Sequence, residues 1–107
     1  MNQTAQSFPN APAGWRTEDA ETLARELGIN LTEHHWELIQ ALQDYYAKVE
    51  FPNLRQIKDA LDEKFHHCGG MKYLYELLPG GPVAQGCRLA GLKVPAGAID
   101  KSFGSVA

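Results

Sequence analysis

Glycines and prolines at Gly28, Pro52, Gly69-Gly70, Pro79-Gly80-Gly81 and Gly91 cut this chain into short segments. Within each segment the apolar residues recur at helical rather than strand spacing. No other feature constrains the fold as much. Each segment is long enough for one short helix, and its apolar stripe has to be buried against the others.

Thr17 reads as an N-cap, with Glu18 and Asp19 complementing the dipole of a first helix. Ala20, Leu23, Ala24 and Leu27 give that helix one apolar face, and Gly28 stops it. A second helix over 33–48 starts after Thr32 and carries the stripe Trp36, Ile39, Leu42, Tyr46 and Val49. Phe51-Pro52 ends it, because proline cannot continue a helix and restricts the residue before it. Asn53 caps a third helix, with Gln56 at the capping-box position and Leu54, Ile57, Leu61 and Phe65 on the buried side. Met71, Leu74, Tyr75 and Leu78 mark a short fourth helix, and Pro82 opens a fifth that closes at Gly91. The expected fold is all-α, a small orthogonal bundle of about five helices with a helix-turn-helix-like part. Residues 1–14 read as a flexible tail, 15–92 as the helical domain entered at Trp15, and 93–107 as a C-terminal arm. Neither an internal repeat nor a strand pair is evident.

The 107 residues suffice for one domain with a modest core. No apolar run approaches the roughly 20 residues of a membrane span, and Met1–Gly14 has no basic and apolar leader pattern. Two cysteines are too few for a disulfide scaffold. The expected location is therefore the reducing cytoplasm, with no membrane partner. A net charge of -3 argues against bulk attraction to nucleic acid.

Cys87 is the first candidate for chemistry. Gly86 would leave its approach open, and the adjacent Arg88 could lower its pKa and enrich the nucleophilic thiolate. The alternative is a small buried hydrophobe, since Val83, Cys87 and Ala90 share a face. His66, His67 and Cys68 are metal-binding residue types without HxxxH or CxxC spacing, so the reading is no metal and no cofactor. A Cys68–Cys87 bridge under oxidation is left open by the sequence. Asn53, Arg55, Gln56 and Lys58 could face DNA at the start of a recognition helix, but Asp59, Asp62 and Glu63 on the same helix would repel phosphate. Tyr45, Tyr46, Tyr73 and Tyr75 fall on helical stripes and read as core. There is no phosphate-cradling glycine loop and no defensible Ser-His-Asp set.

The strings Leu31-Thr-Glu-His-His-Trp-Glu-Leu38, Asp44-Tyr45-Tyr46, Lys72 through Pro82 and Gln85-Gly-Cys-Arg-Leu-Ala-Gly-Leu92 resemble the DsrC/TusE sulfur-relay family, the gamma-subunit-like proteins of dissimilatory sulfite reductase. The resemblance spans about residues 15–99, with its specific part in the C-terminal half. It implies a sulfur carrier, of sulfurtransferase type if active, whose arm ends in a Pro-x-Gly-Cys motif. In such proteins the penultimate cysteine accepts a persulfide, and some members pair it with a cysteine before the arm through a trisulfide. By this resemblance Cys87 matches the cysteine before the arm and Pro95-Ala96-Gly97-Ala98 matches the arm motif. Ala98 then stands where the sulfur-accepting cysteine belongs, nine residues follow it, and the relatives' N-terminal hairpin is shortened or lost. Alanine has no sulfur, so neither the arm persulfide nor the trisulfide can form here. Two readings follow. In one, Cys87 holds sulfur as a persulfide or mixed disulfide with Arg88 assisting, and the partners are proteins of sulfurtransferase or sulfite reductase type. In the other, the chain is a non-catalytic regulatory paralogue that binds DNA or a sulfur-enzyme partner.

Overall fold

The computed structural model describes residues 8–98. Its helices are α1 (Thr17–Leu27), α2 (Glu33–Lys48), α3 (Leu54–Lys64), α4 (Gly70–Leu77) and α5 (Pro82–Ala90), with a single 3-10 turn at His66–Cys68. No strand occurs among the described residues. The all-α expectation holds, and the stripes read from the sequence are the faces that meet. Leu38, Ile39 and Leu42 of α2 lie at the centre. Ile57, Leu61 and Phe65 pack on them from one side, Leu74 and Leu78 from another, and Val83, Cys87, Leu89 and Ala90 from α5. Each large apolar side chain sealed there contributes on the order of 1.5–3 kcal/mol of transfer free energy.

The α2–α5 pair is the most extensive helix–helix contact, and Gly86 explains why. A Cβ at Gly86 would stand 2.8 Å from Leu42 Cδ1 and 3.6 Å from Leu38 Cδ2. The glycine lets α5 approach α2; it does not open a path to Cys87, as the sequence reading supposed. Gly86→Ala should therefore be net destabilising. Better helix propensity contributes about 1 kcal/mol, and overpacking against an immobile core costs about 1–3 kcal/mol. Urea unfolding checks this, and a stabilised variant would mean that Leu42 has room to yield.

Capping follows the sequence with one correction. The N-cap of α1 is Arg16 rather than Thr17, and the Asp19 carboxylate accepts the Arg16 N–H at 3.1 Å. The acid three residues on outcompetes the threonine one position later. Asn53 caps α3 as expected, its side-chain oxygen accepting the Gln56 N–H at 2.9 Å. Thr32 precedes α2, and His35 Nδ1 accepts the Thr32 N–H at 3.0 Å while Nε2 donates to the Leu77 carbonyl at 2.9 Å. His35 is thus a satisfied core histidine that ties α2 to the end of α4.

The last four carbonyls of α5 lack partners within the helix, and the fold supplies one for each. Leu92 N–H reaches Cys87 O at 2.8 Å, and Gly91 N–H reaches Arg88 O at 3.3 Å. Trp15 Nε1 donates to Leu89 O at 2.8 Å, and Gln43 Nε2 donates to Ala90 O at 3.0 Å. Gly91 adopts φ 76 at the C-cap, a left-handed conformation that costs glycine little.

Residues on both sides of the expected helical domain, 15–92, pack against it. Phe8 is 8% exposed and packs on Trp15 and Trp36, at ring-centroid distances of 5.1 and 5.8 Å. Asn10 Nδ2 donates to Asp44 Oδ1 at 2.8 Å. Residues 8–14 are therefore part of the folded body, because two tryptophans offer Phe8 a site that local composition does not reveal. At the other end, Val94 and Ala98 pack against the core. The rest of the expected tail and arm, 1–7 and 99–107, lies outside the described residues.

Candidate functional site

Cys87 lies on the face of α5 turned toward α2, and the pairing of those helices decides its environment. The thiol is 0% exposed. Its polar neighbour is Tyr46 of α2, whose hydroxyl oxygen is 3.6 Å from Sγ. That hydroxyl donates its own proton to the Lys93 carbonyl at 2.7 Å, so the thiol S–H is left as the donor toward the tyrosine oxygen. Burial is the larger influence and pushes the Cys87 thiol up to about 11; the Tyr46 hydroxyl would lower it only by turning its proton from the Lys93 carbonyl toward sulfur. Burial, and then Cys87 itself, raise the Tyr46 phenol in turn.

Arg88, expected to lower the pKa of the thiol, sits on a different side of α5 from it. It is exposed while Cys87 is buried, because consecutive helical side chains point about 100° apart. The causes acting on the thiol are burial and Tyr46. As it sits here, Cys87 is a protonated, shielded thiol rather than a low-pKa nucleophile. Yet Tyr46 and Lys93 place it beneath the first residue of the arm, and the sequence carried no signal for that long-range bond.

The arm then turns through Pro95-Ala96-Gly97-Ala98. Ala98 N–H reaches Pro95 O at 3.2 Å, and Gly97 has φ 87. This is a tight turn that needs positive φ at its third residue, the position where glycine is favoured. Ala98 ends in a groove of about 230 Å³, together with Leu54, Lys58, Tyr75, Gly80 and Gly81. Tyr75, read as core, is 46% exposed and lines this groove. Its helix is only two turns long and buries a single side. The turn Pro79-Gly80-Gly81 is held by Gln85, whose Oε1 accepts the Gly80 N–H at 3.1 Å.

The residues read as DNA-facing have differing surroundings on α3. Asn53 spends its side-chain oxygen on the α3 cap, and Lys58 is half-buried in the groove beside Ala98. Arg55 and Gln56 are exposed, but so are Asp59 and Glu63 on the same helix. Asp62 accepts the Met71 N–H at 2.9 Å and so ties α3 to the start of α4.

The second cysteine has quite different surroundings. Cys68 is partly exposed on the 3-10 turn, with Sγ 3.9 Å from His34 Nε2. The other nitrogen of that ring hydrogen-bonds to the Tyr73 hydroxyl. Both cysteines are free thiols. Their partners on α2, His34 and Tyr46, are twelve residues apart, which is roughly 18 Å of helix rise. His66 and His67 are exposed and do not join Cys68, and no group of three or more potential metal ligands converges among the described residues. Sequence reasoning singled out Cys68 for its neighbours His66 and His67; its real partners come from α2 and α4. No described helix is long and apolar enough to cross a membrane.

A family profile described as DsrC like protein matches residues 1–99. Sulfurtransferase TusE of Yersinia pseudotuberculosis serotype I is 34% identical over 97 residues, covering 89% of this chain and 90% of that protein. Sulfurtransferase TusE of Escherichia coli strain K12 is 35% identical over 83 residues, covering 76% of each. Among solved structures, the NMR structure of Allochromatium vinosum DsrC superposes with a TM-score of 0.69 at 34% identity, covering 88% of this chain and 86% of that one.

Proposed function

Because the chain belongs to the DsrC-like protein family, we propose that it serves sulfur metabolism as a sulfur carrier, holding sulfur as a persulfide or mixed disulfide on a thiol of its own. The observation that carries this reading is Cys87, the pre-arm thiol, linked through Tyr46 to Lys93 at the root of the arm. A partner that lifts Lys93 away from Tyr46 frees the phenol and opens that side of the thiol. Sulfur exchange needs a thiolate and access, and movement of the arm supplies the access. Arg88, exposed on the same helix, would then meet the partner rather than tune the thiol. The donor and acceptor are proteins of sulfurtransferase or sulfite reductase type.

The test is intact mass after incubation with a persulfidated sulfurtransferase. The chain should gain one or more sulfur atoms, and the Cys68→Ser/Cys87→Ser double variant should gain none. Peptide mass analysis after long incubation should find sulfur at Cys87, increased when Tyr46→Phe releases Lys93. Absence of sulfur on any thiol would sink the carrier reading.

A second reading is supported by the same burial and by Ala98: a docking paralogue that engages a sulfur-enzyme partner without covalent chemistry. Undiminished partner binding by the double variant, together with no sulfur uptake, would favour it. Gel-shift assays at moderate salt separate its DNA-binding form, which the carboxylates of α3 oppose.

A further inference from the structure

We propose that Cys68, with His34 as its base and Tyr73 orienting the imidazole, is the entry site at which this chain accepts sulfane sulfur from a persulfide donor. The proposal rests on the carrier reading and adds the residue where sulfur first lands. Two observations support it. The sequence holds two cysteines, and Cys87 is sealed and protonated, so a donor approaching the folded chain meets only the thiol of Cys68. That thiol is also part of a built constellation of three side chains from three elements. Cys68 comes from the 3-10 turn, His34 from the first turn of α2 and Tyr73 from α4. The Sγ to Nε2 separation is 3.9 Å, long for a resting contact but typical of a nucleophile–base pair that tightens on binding substrate. The His34 ring is held edge-on to Phe65 at 6.3 Å and to Tyr73 at 5.3 Å. It is therefore fixed on two sides, with Nε2 directed at sulfur.

The roles follow from the ring's two nitrogens. With the proton on Nδ1, donated to the Tyr73 oxygen, Nε2 is free to accept the Cys68 proton. Burial first, then the charges of Cys68, Glu76 and Glu37, raise the Tyr73 phenol and keep it a neutral partner for the imidazolium. The thiolate attacks the outer sulfur of the donor R–S–SH. A new S–S bond forms at Cys68 while the donor S–S bond breaks. The donor sulfur leaves with the bonding pair and takes the proton back from His34. The products are the Cys68 persulfide and R–SH, with no outside oxidant or reductant.

The experiment uses the full chain, glutathione persulfide as donor, and time-resolved peptide mass analysis. Sulfur should appear first at Cys68, and Cys68→Ser should lose that early phase. His34→Gln should slow it by about 10²-fold, the usual contribution of a general base. A parallel iodoacetamide reaction on the unmodified chain needs no variant to fold. There Cys68 should react at least about 10²-fold faster than Cys87. Sulfur confined to Cys87, an unchanged rate in a folded His34→Gln variant, or Cys68 alkylating no faster than Cys87 would each overturn the proposal while leaving the carrier reading standing. Absence of sulfur from both cysteines would remove both readings.

Discussion

The folded protein should lose about 2–3 kcal/mol of stability as the pH rises from 9.0 to about 11, the interval over which burial displaces the Cys87 thiol. In that window the unfolded chain has released the thiol proton and the native chain still holds it. The unfolded state therefore binds fewer protons, and stability falls with rising pH. The contribution is fully present below the ordinary thiol value and is gone above the raised one. Tyr46, raised in the same direction from 10.0, adds loss of the same sign that begins inside this window and continues above it. Denaturant titrations of the natural chain and of Cys87→Ala, compared across this range, isolate the cysteine's part, and parallel curves for the two would show that the thiol does not stay protonated in the core. The same displacement makes thiolate about 10²-fold scarcer at Cys87 at neutral pH than in the unfolded chain. Alkylation should therefore be slower by at least that factor in the native protein than in denaturant. Any sulfur chemistry at Cys87 has to begin by exposing the thiol.

Trp15→Ala should cost about 3–4 kcal/mol, the lower part of the range for removing an aromatic anchor, because the indole is half-buried. The indole seals Phe8 at 5.1 Å, and a Cβ at Gly91 would already come within 2.6 Å of its Cδ1. Its Nε1 also satisfies the Leu89 carbonyl, so alanine leaves a cavity and an unpartnered helix-end acceptor together. Trp15→Phe separates the two effects, because it keeps most of the packing and loses only the hydrogen bond, at about 1–2 kcal/mol. Thermal unfolding of the three proteins checks the order. A loss below 1 kcal/mol for alanine would mean that the α5 terminus does not depend on Trp15. Since α5 carries Cys87 and delivers the arm, the alanine variant should also raise Cys87 alkylation.

How legible each part was depended on the distance over which its cause acts. Gly28, Pro52, Asn53, Pro82 and Gly91 punctuate the helices through backbone geometry that each residue carries with it, so the element order could be read from the chain. The apolar stripes were legible for the same reason: a period of 3.6 residues is a local property. Thr17 was misassigned as a cap because its residue type suits that position, whereas the Asp19 side chain, by accepting the Arg16 N–H, starts the helix one residue earlier. Tyr75 was misread because a stripe does not say how much of it a neighbour will cover.

The sequence by itself determined an all-helical bundle, its breaks, and the resemblance that led to the DsrC-like family. It also determined that no sulfur can be carried at Ala98. Only the tertiary structure decided what each thiol can do. Cys87 and Arg88 are neighbours along the chain, yet helix geometry and the close approach at Gly86 bury one and expose the other. Cys68 stands next to two histidines in sequence but meets a third, from α2. A thiol's reactivity is set by burial and by the groups facing it, and those come from residues dozens of positions away. Helix packing brings them together, and no local pattern encodes it.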